Sequence, residues 1–425
     1  MLKRFPAITK FVFVACFLSA EVFSDESNIA NTLSTKQAIQ KALTNNPNLA
    51  QINAHFLAMS EIPTQLNALP EPKLKFNVAN LPLDSFSLDQ SPMTQIQFGV
   101  SQSLPYPGKL TLKSHAAKNI ATASNESWLD AKRKLIQQIR HQWWQLFYLD
   151  HALEIVEQNF TVLEQFIEVA ETKYSVGQGL QQDILLAQVE SHRLQDKKLQ
   201  LDAMRRNTEI TLNRLMGENK QTKIRIDRIV DSTLPILNNT DDFLLKARTQ
   251  RPDMKRAQSL ANVAENRYEL AKKDYYPDFQ MAAIYGWRKE QADLASVQFS
   301  MNLPWDTGNR QNPAKDQRNY EWMQQKYAIK EIENVITEEI ESAITNYRRA
   351  TQQVKLYSQS IIPQAEQMVE AMLAGYQVNK VDFLNLLRAQ ITLFNYETLY
   401  WQSLSMAKQA LAALDAAIGQ EYSHE

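Results

Sequence analysis

Two segments of this chain carry the same pattern 202 residues apart, and they align without a gap. Tyr174-Ser-Val176-Gly177-Gln-Gly-Leu180-Gln-Gln-Asp183-Ile-Leu185-Leu-Ala187-Gln188 returns as Tyr376-Gln-Val378-Asn379-Lys380-Val-Asp382-Phe-Leu-Asn-Leu-Leu387-Arg388-Ala389-Gln390. The match continues through Gln200/Gln402, Met204/Met406 and Leu212/Leu414 and closes on Gly217/Gly419. Two earlier anchors recur in the same order. Leu104-Pro-Tyr-Pro-Gly108 answers Leu303-Pro-Trp-Asp-Thr-Gly308, and Ala42…Asn46-Pro47 answers Ala247…Arg251-Pro252. A repeat of this kind fixes architecture before any motif does. It divides the chain into a first copy, about 25–217, a connector, 218–239, and a second copy, 240–419, with a polar tail at 420–425.

What lies inside each copy follows from what is missing. Only 9 of 425 residues are glycine, about 2% against a typical ~7%. Residues 110–175 contain neither glycine nor proline. Some 65 residues of uninterrupted helix would span roughly 95 Å. The turn at 176–179 then sends the chain back through a second helix to Gly217. In the second copy a long helix, interrupted at Pro363, reaches about Ala374, and a returning helix ends at Gly419. Ala389, Leu393, Tyr396, Tyr400, Ser403, Ala407, Ala410, Leu414 and Ala417 are spaced four and three residues apart, a coiled-coil seam. Leu180, Ala187, Leu194, Leu201 and Leu215 form the matching row of the first copy, with Thr208 as an expected break.

Each copy begins with shorter helices. Ser34 or Thr35 caps the first, Pro47 restarts it, and the next helix runs to about Ala68. Thr240 or Asp241 caps the equivalent helix, and Pro252 restarts that one. The periodicity then switches to two. Leu74, Phe76 and Val78, and later Ile96, Phe98 and Val100, alternate with polar neighbours, so residues 73–103 read as a hairpin. Residues 279–303 read as a second hairpin. Between the first two strands, Asp84, Asp89 and Met93 lie in a loop that reads as solvated rather than cation-binding.

The first 24 residues read as a secretory signal: Lys3, Arg4 and Lys10 precede an apolar run, with small residues before Asp25. Cys16, the single cysteine, lies inside it. Ordinary cleavage is favoured over lipidation there, because only five apolar residues separate Lys10 from Cys16. No stretch reaches the ~18 apolar residues of a membrane-spanning helix. Four strands cannot enclose a lumen, so the hairpins of an exported chain must pool with those of other copies, and three copies give twelve strands.

Other chemistry finds no support in the sequence. The net charge of −1, from 46 Lys+Arg and 47 Asp+Glu, argues against nucleic acid. There is no phosphate-binding Gly-x4-Gly-Lys-Ser/Thr loop. The six histidines are scattered with no helical pairing that a metal site would want. No catalytic residue or cofactor is expected, and Trp143-Trp144 with Phe147-Tyr148 reads as interhelical packing.

Residues 33–47, Leu104-Pro-Tyr-Pro-Gly-Lys109 and the two Tyr-x-Val…Ala-Gln turns together resemble the TolC-type outer-membrane efflux proteins. The likeness covers almost the whole mature chain. It implies a mainly α fold with a β-barrel portion, built as a homotrimer. Its strands would share one barrel in outer-membrane lipid, and its coiled-coil helices would form a long periplasmic tunnel. The implied partners are a periplasmic adaptor (membrane fusion) protein and an inner-membrane pump. Asn80-Leu-Pro-Leu-Asp-Ser-Phe86 and Gly375-Tyr-Gln-Val-Asn-Lys-Val-Asp-Phe-Leu384 resemble the heavy-metal branch of resistance-nodulation-division systems. Drug efflux or type I protein secretion through the same duct is the alternative. A soluble periplasmic coiled-coil adaptor or scaffold is the alternative from another class.

The resemblance assigns the two turns to the periplasmic mouth. Tyr174, Val176, Gly177, Leu180, Tyr376, Val378, Asn379 and Lys380 are the expected adaptor contacts. Asp183, Asp382 and Arg388 are the expected constriction. Three copies of each aspartate would form acidic rings whose repulsion favours an open mouth unless Lys380 or Arg388 compensates. Both aspartates also fit the first turn of a helix, where the dipole favours a carboxylate. Asn379 stands where many relatives have glycine, and asparagine tolerates the left-handed backbone such a turn requires.

Overall fold

The computed structural model describes residues 32–219, 222–227, 233–237 and 239–419. The signal segment with Cys16, part of the connector and the polar tail with His424 lie outside the described residues. The first copy runs α1 (Thr35–Asn45), α2 (Pro47–Ser60), α3 (Ile62–Asn67), β1 (Lys73–Ala79), β2 (Gln95–Leu104), α4 (Lys109–Ser175) and α5 (Gln181–Met216). The second runs α6 (Thr240–Gln250), α7 (Pro252–Lys273), β3 (Phe279–Trp287), β4 (Leu294–Met301), α8 (Asn312–Leu356), α9 (Ile362–Gln377) and α10 (Phe383–Ile418). The 67 residues of α4 form one helix, as the absence of glycine and proline requires. Among the described residues no helix is long and apolar enough to cross a membrane.

Several boundaries differ from the sequence expectation, each for a local reason. The helix expected to reach Ala68 divides at Glu61, because Pro63 has no amide hydrogen to return to the turn before it. The N-cap of α6 is Asn239 rather than Thr240 or Asp241, with no side-chain cap bond. Pro363 does not break its helix. A five-residue π turn, Tyr357–Ile361, widens the ladder so that the Ile362 amide reaches the Tyr357 carbonyl, and α9 resumes with Pro363 in its first turn. Thr208 keeps its row intact: it is buried, and its hydroxyl donates to the Met204 carbonyl at 2.9 Å. Leu180 leaves the row, exposed at the N-cap of α5. Every seam position of α10 is at least half-buried.

The repeat is visible as geometry. Gly217 and Gly419 end the returning helices with φ of 71° and 84°. Each lies against the proline-restarted turn of its own copy: an added Cβ would sit 2.5 Å from the Asn45 carbonyl oxygen and 3.2 Å from the Arg251 nitrogen, respectively. In the first copy Asn46 caps α2 and donates to the Leu215 carbonyl at 2.8 Å. In the second, Arg251 donates to the Ala417 carbonyl at 3.1 Å and pairs with Asp253 and Glu339. A carboxamide and a guanidinium thus hold the same joint. The largest core cluster surrounds Trp143, whose Nε1 donates to the Leu33 carbonyl at 2.8 Å.

The two hairpins join edge to edge into one antiparallel sheet of order β1-β2-β3-β4. Its register sorts the side chains. Leu74, Val100, Ala283 and Val297 align across one face, as do Phe76, Phe98, Tyr285 and Ala295. The opposite face aligns Lys75, Gly99, Ile284 and Ser296, then Lys73, Ser101, Ala282 and Gln298. The first face is almost wholly apolar and the second mostly polar. The polar face is also the more enclosed, since Gly99 and Ser101 are buried while Phe98 and Val100 are exposed. Where sheet meets helices, Lys109 pairs with Asp274 and Asp278 at 3.1 and 3.0 Å, and Tyr106 stacks on Tyr276 at 4.5 Å.

Candidate functional site: the paired helix-turn tips

Far from the sheet, α4 turns into α5 and α9 turns into α10. The two turns have one backbone. Gly177 N–H donates to the Tyr174 carbonyl at 3.0 Å and Gln178 to Lys173 at 2.8 Å. At the equivalent places Asn379 donates to Tyr376 at 3.2 Å and Lys380 to Gly375 at 2.8 Å. Gly177 has φ 72° and Asn379 φ 61°, so asparagine takes the left-handed position that glycine fills in the first copy. Two further glycines allow tight closure. A Cβ on Gly179 would lie 2.9 Å from the Tyr174 nitrogen, and one on Gly375 would lie 2.6 Å from a Val381 methyl.

The tips pack on each other over a cluster of Phe166, Ala170, Ala187, Tyr376, Phe383 and Leu387. A buried bond from the Gln390 side chain to Asn159 Oδ1, 2.8 Å, links α10 to α4 farther along. At the tips themselves one polar network joins the copies. The Lys173 amine is buried and donates to both the Tyr376 carbonyl and Asn379 Oδ1. It also stands 4.3 Å from the centre of the Tyr376 ring. The Tyr376 hydroxyl lies 3.5 Å from Asp183 Oδ2. Burial raises the Asp183 carboxyl above its ordinary range, and the charge of Asp382 adds to the effect. Burial, then the neighbouring Asp183 charge, pushes the Tyr376 phenol up to about 12.

Of the residues singled out in the sequence, the structure gathers Asp183, Tyr376 and Asn379. Asp183 is enclosed between the tips rather than presented at their surface. Asp382 is exposed and serves as N-cap of α10 without a side-chain cap bond. Tyr174, Val176, Gly177, Leu180, Val378, Lys380 and Arg388 are exposed as well. Neither Lys380 nor Arg388 forms an ion pair among the described residues. The residue missed by sequence reading is Lys173. Its repeat counterpart is Gly375, and a position that keeps a long cation in one copy and glycine in the other was the available signal. Among the described residues, no group of three or more His, Cys, Asp and Glu side chains could hold a metal ion.

Comparison with known proteins gives the fold and geometry a setting. The chain is similar to the outer-membrane protein VceC of Vibrio cholerae, with a TM-score of 0.78 at 17% identity over 91% of this chain and 96% of that one. It is similar to CusC, described in connection with folding and transmembrane channel formation, with a TM-score of 0.78 at 16% identity over 91% and 92%. It is also similar to the open state of the Neisseria gonorrhoeae outer-membrane channel MtrE, with a TM-score of 0.76 at 16% identity over 91% and 89%. No curated protein sequence matches the chain. The family model for outer membrane efflux proteins matches residues 38–218 and 244–420, nearly all of both copies. This chain therefore belongs to the outer membrane efflux protein family.

Proposed function

We propose that three copies of this chain form the passive exit duct of a tripartite efflux system. The observation that carries this reading is the sheet. Its apolar face is bare in the protomer, with Leu74 85%, Phe76 67% and Val297 80% exposed. Among the described residues its outer strands, β1 and β4, each have one partner only. A twelve-stranded barrel closed by β4–β1 seams turns the apolar face to lipid and the polar face to water. The helices repeat the pattern: α5, α4, α10 and α8 pack side by side in that order midway along the molecule, and α4, α7 and α8 do so nearer the sheet, leaving α5 and α8 as flanks. Leu199 on α5 and Tyr320 and Tyr327 on α8 are exposed there, where neighbouring copies would cover them.

The tips are the proposed meeting point with a periplasmic adaptor, itself bound to an inner-membrane pump of the resistance-nodulation-division type. Val176, Leu180 and Val378 expose apolar side chains at the turns, 63%, 59% and 61% respectively, which suits such a contact. Asp382 is the proposed ring residue of the mouth, since it is the exposed carboxylate of the pair. Heavy-metal ions are the proposed cargo, on the resemblance of the 80–86 loop and the second tip. The duct reading is tested by isolating the protein from outer membranes and recording from planar bilayers. A heat-modifiable trimer that conducts, and whose cation preference falls in Asp382→Arg, is the expected result. Recovery as a soluble protein without channels would overturn it.

A further inference from the structure

The charge on the strands is uneven in a way that the duct reading leaves unexplained. Among the described residues, Lys73 and Lys75 are the only charged residues in the four strands. Both lie on the polar face, by their pairing with Ser101 and Gly99. Both are exposed, and neither forms an ion pair among the described residues. The polar face offers them no carboxylate from β2, β3 or β4, only Gln, Ser, Gly and apolar groups. The nearest acid along the chain, Glu71, precedes the strand and pairs with neither. The two lysines sit where β1 begins, directly after the helices and at the opposite end from the 80–94 loop.

We propose that Lys73 and Lys75 form a cationic collar at the periplasmic end of the barrel lumen, which draws multivalent anions into the exit and binds them in transit. The inference rests on the trimeric duct and deepens it. Twelve strands spaced about 4.8 Å and tilted about 40° put the barrel wall roughly 12 Å from its axis. An extended lysine reaches about 6 Å inward, so six ammonium groups stand within the ~8 Å screening length of the axis at physiological salt. The neutral side chains of the strands do not offset that field, and Asp274 and Asp278 at the junction with the helices are engaged by Lys109. The collar narrows the cargo. A free metal cation meets like charge there, whereas an anionic metal complex or an organic polyanion is attracted.

The test uses the full-length trimer in planar bilayers, with pyrophosphate added on the extracellular side as the probe. Wild-type current should be blocked, and K73Q/K75Q should need about tenfold more pyrophosphate for the same block. The same variant should shift the chloride-to-potassium permeability ratio several-fold toward potassium, while K73R/K75R keeps both properties. Heat-modifiability of the variants checks that they assemble. Channels whose block and selectivity are the same in wild type and K73Q/K75Q would overturn the collar alone. A wild-type protein that forms no channels would overturn the duct and the collar together.

Discussion

The two tips share a backbone and differ in what their side chains do with it. Tyr174 and Tyr376 are repeat equivalents, yet the first is 49% exposed and the second 5%. The first tip sends two charged groups, Lys173 and Asp183, across the gap between the hairpins. The second receives them with a ring, a hydroxyl, a carbonyl and a carboxamide. At the matching places the second copy has Gly375 and Asn385, which carry no charge. A duplicated turn has thus become a donor half and an acceptor half. The backbone specifies the turn twice, and the side chains specify the docking once.

Four substitutions probe that division. The largest effect is expected from Gly179→Ala, where the new methyl meets backbone at 2.9 Å. It should cost about 3 kcal/mol, because a well-packed turn cannot absorb the overlap. Gly375→Ala meets a Val381 methyl instead and should cost less. Equal loss of hydrogen-exchange protection in the two variants would break the contrast between a backbone clash and a side-chain clash. Next, Lys173→Met should free the second tip at a cost of about 2 kcal/mol, since the buried Tyr376 carbonyl and the part-buried Asn379 carboxamide lose a charged donor. Faster exchange across residues 374–382, with the first tip little changed, is the expected reading. An unaltered second tip would make Lys173 a bystander.

The smallest effect concerns pH. The Asp183 carboxyl binds its proton more tightly in the docked tips than in the open chain. Docking is therefore strongest where Asp183 is protonated in both states. It weakens as pH climbs from the ordinary 3.8 through the raised value, and it levels off above that. The groups facing Asp183 are Tyr376, Lys173 and Asp382. Asp183→Asn should abolish the dependence and leave the tips docked at neutral pH. Tip exchange measured across pH 4 to 8 would show it, and a slope that persists in Asp183→Asn would assign the effect elsewhere.

The sequence made the architecture legible because helix length, glycine placement and strand alternation are local properties. An unbroken α4, the left-handed Asn379 and both hairpins follow from residues within a turn or two of each other. The pairing of β2 with β3 was not legible, since register between distant strands depends on which faces meet. Nor was the enclosure of Asp183. Its place in a first helical turn is local, but the ring that covers it arrives from 193 residues away. Lys173 was overlooked for the same reason: a lysine in a last helical turn reads as a solvated cation until another hairpin is laid over it.

The sheet has a consequence for how the protein is made. Each newly exported protomer carries one third of the proposed barrel with two unpaired strand edges beside a bare apolar face. Soluble proteins avoid that combination, because such edges recruit any other strand they meet. The isolated chain is therefore the hazardous species, and the rate at which it finds two copies of itself competes with misassociation. Slowing export without slowing assembly should protect it; overproducing it should not.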